Sequence, residues 1–136
     1  MASIEDIEGI GQESGAKLRQ AGVATTEALL KRGATSKGRQ DLAEATGLAP
    51  DRLLRWVNHA DLYRIKGVGA EYSELLERAG VDTVPELAQR NATNLHQRLV
   101  ELHEQTGTSV TRRVPTETQV ADWIEQAKQL PRMMEH

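Results

Sequence analysis

The sequence predicts an all-α protein built as a tandem pair of similar helical units, residues 1–61 and 62–130, followed by a short C-terminal tail, 131–136. Three observations lead there. Apolar residues recur at three-to-four spacing, as in Leu53, Leu54 and Val57 or Leu95, Leu99 and Leu102, and no stretch alternates with period two. Glycines, prolines and capping residues fall where helices should start and stop. Finally, the chain repeats itself. With residue 7 laid over residue 65, an offset of 58, "IEGIGQESGAKLRQAGVATTEAL" lies over "IKGVGAEYSELLERAGVDTVPEL". Internal repetition of this kind fixes an architecture before any finer detail.

The elements follow in order. "ASIEDIE" carries a Ser3/Asp6 capping signal rather than a strand. Gly22 and Gly80 stand where a C′ glycine ends a helix. Ser36 and Thr93 are the expected N-caps of "KGRQDLAEATG" and "NLHQRLVELHEQTG", each of which closes on a glycine. Pro50 fits the first position of "PDRLLRWVNHA", and "NHADLYRI" joins the units. Thr83 with Glu86 forms a capping box, with Pro85 in the first turn where a missing N–H costs nothing. Thr116 with Gln119 caps the last helix, and Pro131 ends it. "LLRWVNHA" and "VADWIEQA" place Trp56 and Trp123 at matching points, so both are expected in the core. The second copy is longer by nine residues, part of them near "GTSVTRRVP", 107–115.

Composition narrows the function. The net charge is −3, and residues 1–61 hold 8 basic and 9 acidic side chains against 9 and 11 in 62–136. No basic field therefore covers either half. With no cysteine, disulfides, thiolate zinc sites and cysteine catalysis are excluded, which fits a reducing cytoplasm. "MASIEDIEGI" does not read as a signal peptide, and no apolar run approaches the roughly 20 residues of a membrane span. No membrane, cofactor or small-molecule substrate is expected.

The glycine turns are the most informative motif. A dinucleotide fingerprint needs G-x-G-x-x-G between a strand and a helix. Here Gly15 comes one residue too late, and the second copy has Ser73 at that point. The pattern apolar-x-Gly-apolar-Gly-x-x-x-small-x-x-Leu, ending at Leu18 and Leu76, instead resembles the helix-hairpin-helix superfamily. The stretch from Gly9 to Val57, with a degenerate second hairpin at "ATGLAPDRLL", is similar in layout to the N-terminal domain of archaeal and eukaryotic recombinases and to the C-terminal domain of the RNA polymerase α subunit. The tandem arrangement resembles bacterial families of unknown function built from such pairs. The resemblance implies compact five-helix units. It also implies that main-chain N–H groups of the hairpins bind a DNA phosphate, which suits the free donors and positive dipole end of a helix N-terminus. On this reading the glycines free the turn for positive φ and close approach, and the small residue lets two helices cross tightly.

The nucleic-acid contacts expected on that basis are Gly9, Gly11 and Lys17 in the first copy and Lys66, Gly67, Gly69 and Tyr72 in the second. Tyr72, facing outward in the first turn, could touch a base, a sugar or a protein. Arg112 and Arg113 form a candidate partner-binding loop. Against DNA stand Glu13 and Glu71, which fall just after the second glycine, where a Lys or Arg is frequent in the superfamily. Asp82 lies only 13 residues past Gly69, too close to match the aspartate of related glycosylases. His96 and His103, seven apart and so ~10.5 Å along a helix, cannot share a metal, and His59 and His136 have no ligand spacing. All four histidines are expected at the surface. No catalytic constellation emerges. The expected function is non-catalytic, weak, sequence-independent binding of double-stranded DNA, with a protein–protein adaptor as the alternative.

Overall fold

The apolar spacing of the sequence has nothing to pair as strands, and the computed structural model, described over residues 2–135, is helical. A 3-10 turn, Ile4–Asp6, precedes α1 (Gln12–Gln20), α2 (Thr26–Gly33), α3 (Ser36–Thr46) and α4 (Pro50–Leu62). Then come α5 (Ala70–Arg78), α6 (Val84–Ala88), α7 (Ala92–Thr106), a 3-10 turn at Gly107–Ser109 and α8 (Glu117–Gln129). The one extended pairing among the described residues is an isolated antiparallel bridge between Ser3 and Thr25.

The fold divides into two units, Met1–Asp61 with Met133–His136, taken over its described residues, and Leu62–Arg132. Each is organised around four α-helices rather than five. In the first, the additional element is the single 3-10 turn, where the Asp6 carboxylate accepts the Ser3 N–H at 3.2 Å. Helix α4 extends into the "NHADLYRI" segment and ends at Leu62.

Helix ends explain much of the local structure. After α1, the Val23 N–H reaches the Leu18 carbonyl at 2.9 Å and the Gly22 N–H reaches Arg19 at 3.0 Å, with Gly22 at φ +88°. After α5, Val81 to Leu76 and Gly80 to Glu77 repeat these distances, with Gly80 at φ +89°. Both are Schellman ends, and the fully buried pairs Val23/Leu18 and Val81/Leu76 supply their apolar contact.

Two expected caps shift and a third does not form. The N-cap of α3 is Thr35, whose hydroxyl accepts the Gly38 N–H, and that of α7 is Asn91, whose carboxamide accepts the Asn94 N–H. Ser36 and Thr93 lie inside the helices, because the earlier residues already hold the extended backbone a cap needs. Thr83 begins α6, yet its hydroxyl caps nothing, and Glu86 accepts from the Asp82 N–H. Burial of Thr83 at 4% exposure turns that side chain inward. The Thr116/Gln119 box forms with both bonds, at 3.1 and 2.8 Å.

In the first unit Ile4, Ile7, Leu18, Val23, Leu29, Leu42, Leu53, Trp56 and Val57 pack the interior. The tight helix crossing is at Gly33, where a Cβ would collide with the Val57 side chain. Gly15, expected to serve that purpose, instead makes room for Glu5. Arg39 is buried and caps the end of α2, donating to the Gly33 and Ala34 carbonyls at 2.8 and 3.3 Å and to Glu135 at 3.0 Å. The Glu135 N–H returns a bond to Ala34, and Met134 is buried, so this end of the chain is part of the unit's packing. His59, expected at the surface, is buried at 1% exposure on the inner face of α4. In the second unit one continuous cluster runs from Leu62 through Leu76, Leu87, Leu99 and Val120 to Trp123 and Ala127.

Two substitutions test this packing in thermal unfolding. Trp123→Ala, like Trp56→Ala, should cost ~3–5 kcal/mol. Gly33→Ala should cost ~1–3 kcal/mol by overpacking. A Gly33→Ala protein as stable as the parent would show that α2 and α4 do not meet as described.

Candidate functional site

The first glycine of each turn is the conformational one. Gly9 and Gly67 adopt φ +94° and +98°, and a Cβ there would meet the indole Nε1 of Trp56 at 3.1 Å and of Trp123 at 3.0 Å. The second glycine behaves differently from expectation. Gly11 and Gly69 have φ −83° and −117°, ordinary for any residue, and a Cβ at either would meet nothing within 4 Å. Neither strain nor packing inside the protein calls for glycine there. Both are exposed, and both are N-caps, of α1 and α5. Having no side chain, they offer no acceptor to the first-turn N–H groups. Helices α2, α3, α7 and α8 begin instead on Thr25, Thr35, Asn91 and Thr116, each accepting an N–H of its own first turn.

The charges around the two turns differ. In the first unit Lys17 pairs with Glu13 one helical turn earlier at 3.5 Å, and the Glu13 side chain is 87% exposed. Arg19 is committed to Glu5, donating Nε at 2.9 Å and Nη2 at 2.6 Å. The guanidinium holds the Glu5 carboxyl below the usual carboxylate range, and the carboxylate holds Arg19 up. In the second unit Lys66 is exposed and its backbone is bracketed by Gln126, whose Oε1 accepts the Lys66 N–H at 2.8 Å and whose Nε2 donates to the Lys66 carbonyl at 3.1 Å. Asp122 accepts a further bond from the same amide at 2.9 Å. Gln126 was not foreseen, since its partner lies 60 residues away.

The extra loop of the second unit folds back on the start of α5. Val110 and Thr111 are buried, and the Thr111 hydroxyl meets His103 Nδ1 at 3.1 Å. His103 is thus partly buried rather than a surface residue. The Arg112 N–H donates to Glu71 at 2.9 Å. Tyr72 does not simply face outward: it is half-buried, its ring 5.1 Å from that of Trp123 and tilted by 52°. Glu71, Tyr72, Thr111, Arg112 and Arg113 line an open groove of about 300 Å³. Tyr72 and the arginine loop, separate in sequence, therefore share one site. Among the described residues no three His, Asp or Glu side chains converge in a way that could hold a metal ion, and no helix is long and apolar enough to cross a membrane.

Residues 8–130 match a protein-family model described as Domain of unknown function (DUF4332). The chain belongs to this family. No curated protein and no solved structure matches it. The match begins just before Gly9 and takes in both glycine turns, the groove loop and α8, so every candidate residue lies inside the DUF4332 region.

Glu71→Ala in this DUF4332 chain should free the Arg112 N–H. Hydrogen exchange should then accelerate at Arg112 while the amides of α7 stay protected; unchanged exchange at Arg112 would show that Glu71 does not tether the loop. The Glu5–Arg19 pair has a pH signature. Because the folded carboxyl titrates below its ordinary range, its contribution is complete above that range and is lost as pH falls through the depressed value. The stability difference between the parent and Glu5→Gln should accordingly shrink in acid. A constant difference from neutral to strongly acidic pH would rule the pair out as its source.

Proposed function

We propose that the chain is a tandem duplication of a paired helix-hairpin-helix unit and a non-catalytic module that holds the backbone of double-stranded DNA at its two glycine turns, without sequence preference. Support for the duplication comes from the bond-for-bond agreement across the 58-residue offset: Ile7 to Ile4 and Ile65 to Leu62, Gly15 to Gly11 and Ser73 to Gly69, and both Schellman ends. The observation that carries the binding function is the pair of uncapped helix starts. Gly11 and Gly69 leave the first-turn N–H groups of α1 and α5 without a side-chain acceptor behind an open approach. Such groups suit a phosphate oxygen, because they combine free donors with the positive end of the helix dipole.

Gly9 and Gly67 set the turn, Gly11 and Gly69 let a phosphate come close, and Lys17 and Lys66 supply charge. Glu13 and Glu71 weaken the attraction, each placing a carboxylate in the first turn, which accounts for weak binding. Affinity should fall with salt at a slope of roughly −0.9 per phosphate neutralised, so few contacts mean a shallow slope.

Glu13 is the cleaner residue to change, since Glu71 also tethers the loop. Glu13→Lys should tighten binding to a labelled duplex at low salt far more than Glu104→Lys, an equal change of charge on the exposed face of α7. Equal gains would remove the hairpins as the phosphate site. No binding by the parent even at high protein concentration would overturn the proposal in favour of a protein–protein adaptor.

A further inference from the structure

Most arginines of this chain serve its own fold. Arg19 pairs with Glu5, Arg78 with Glu74 and Arg98 with Glu101. Arg32, Arg39, Arg64 and Arg90 donate to backbone carbonyls, and Arg52 lies over Trp56. Arg112 and Arg113 are different. Both are exposed, both line the groove, and neither guanidinium has a bonding partner among the described residues. The loop carrying them is nonetheless fixed: Val110 and Thr111 are buried, Thr111 is bonded to His103, and Glu71 holds the Arg112 N–H. Two unneutralised guanidinium groups on an anchored loop form a prearranged anion site, of the kind that planar forks make with phosphate.

The rest of the groove is not what a bare anion needs. Tyr72 contributes an aromatic wall, restrained from behind by Trp123. Glu71 uses one carboxylate oxygen on the loop and has another to accept an N–H from a ligand. A space of about 300 Å³ exceeds a phosphate alone. A ligand joining a phosphate to a planar group with N–H donors meets all of these demands. A base-paired nucleotide cannot meet them, since both of its faces are covered by neighbours in the stack. An unpaired one can, because its free face can stack on an aromatic ring.

We propose that the groove formed by Glu71, Tyr72, Thr111, Arg112 and Arg113 holds one unpaired nucleotide of a single-stranded nucleic acid, its phosphate on the two arginines and its base against Tyr72. This rests on the nucleic-acid function proposed above and assigns the second unit a preference for exposed single strands. The first unit has Ser14 where the second has Tyr72, and only residues 47–49 between α3 and α4 where the second has the 107–115 loop, so the groove belongs to the second unit.

The experiment compares a labelled single-stranded oligothymidine with relaxed, covalently closed circular duplex, which has no ends and no unpaired bases. Arg112→Gln with Arg113→Gln changes only exposed side chains, so the fold should survive. This variant should bind the single strand on the order of tenfold more weakly, with a salt slope shallower by about 0.7 for the one lost phosphate contact. Its duplex binding should be unchanged. Tyr72→Leu should lose on the order of tenfold on the single strand, and Tyr72→Phe should retain it. Single-strand binding that none of these changes weakens, or an arginine variant that weakens both nucleic acids equally, would overturn the nucleotide site and leave the duplex proposal standing. A parent protein that binds duplex but not the single strand would do the same. A parent that binds neither would overturn both.

Discussion

The indole nitrogens of Trp56 and Trp123 sit against Gly9 and Gly67, so close that a Cβ on either glycine would come within 3.1 or 3.0 Å. The same two residues hold φ values near +95°, which side chains other than hydrogen rarely tolerate. Glycine is thus demanded twice at each point, by backbone conformation and by the indole. The consequence reaches beyond the turn. Each tryptophan is 2% exposed and belongs to the last long helix of its unit, α4 or α8. The contact fastens the glycine turn, and with it the start of α1 or α5, to a buried ring. The exposed glycine turn and the helix it leads into are thereby tied to the interior of the unit.

With the turns fixed, the charges distribute themselves by packing. An arginine near the end of a helix can satisfy carbonyls that the helix leaves unpaired, and Arg32 and Arg90 do so at Ala21, just after α1, and at Gly80, just after α5. Arg39 goes further and is buried among the carbonyls it caps. Positive charge spent this way is not available for a partner. That is why a chain with 17 basic residues offers so few free guanidinium groups, and why Arg112 and Arg113 stand out. The glutamates show the converse. Glu13 is solvated and loosely paired, whereas Glu71 is a structural acceptor for the loop. Two glutamates, each two residues past the second glycine of its turn, thus have different chemistry.

The sequence by itself determined the helical class and the punctuation of most helices. These depend on local or periodic properties: positive φ confined to glycine at Gly22 and Gly80, the reciprocal Thr116/Gln119 cap, and apolar spacing that buries Trp56 and Trp123. It located the two glycine turns and singled out Tyr72, Arg112 and Arg113, though as unrelated features. What only the tertiary structure decided was which residues meet. Glu71 and Arg112 are separated by 41 residues and Lys66 and Gln126 by 60, and no local propensity encodes such pairs. The tight crossing likewise falls at Gly33 rather than Gly15 because of what packs opposite, Val57 at Gly33 and Glu5 at Gly15. The caps at Thr35 and Asn91 moved by a residue or two because several neighbouring side chains could cap, and the backbone path chose among them. Local chemistry sets where elements begin and end, but a site is made of residues from different elements, and only packing brings those together.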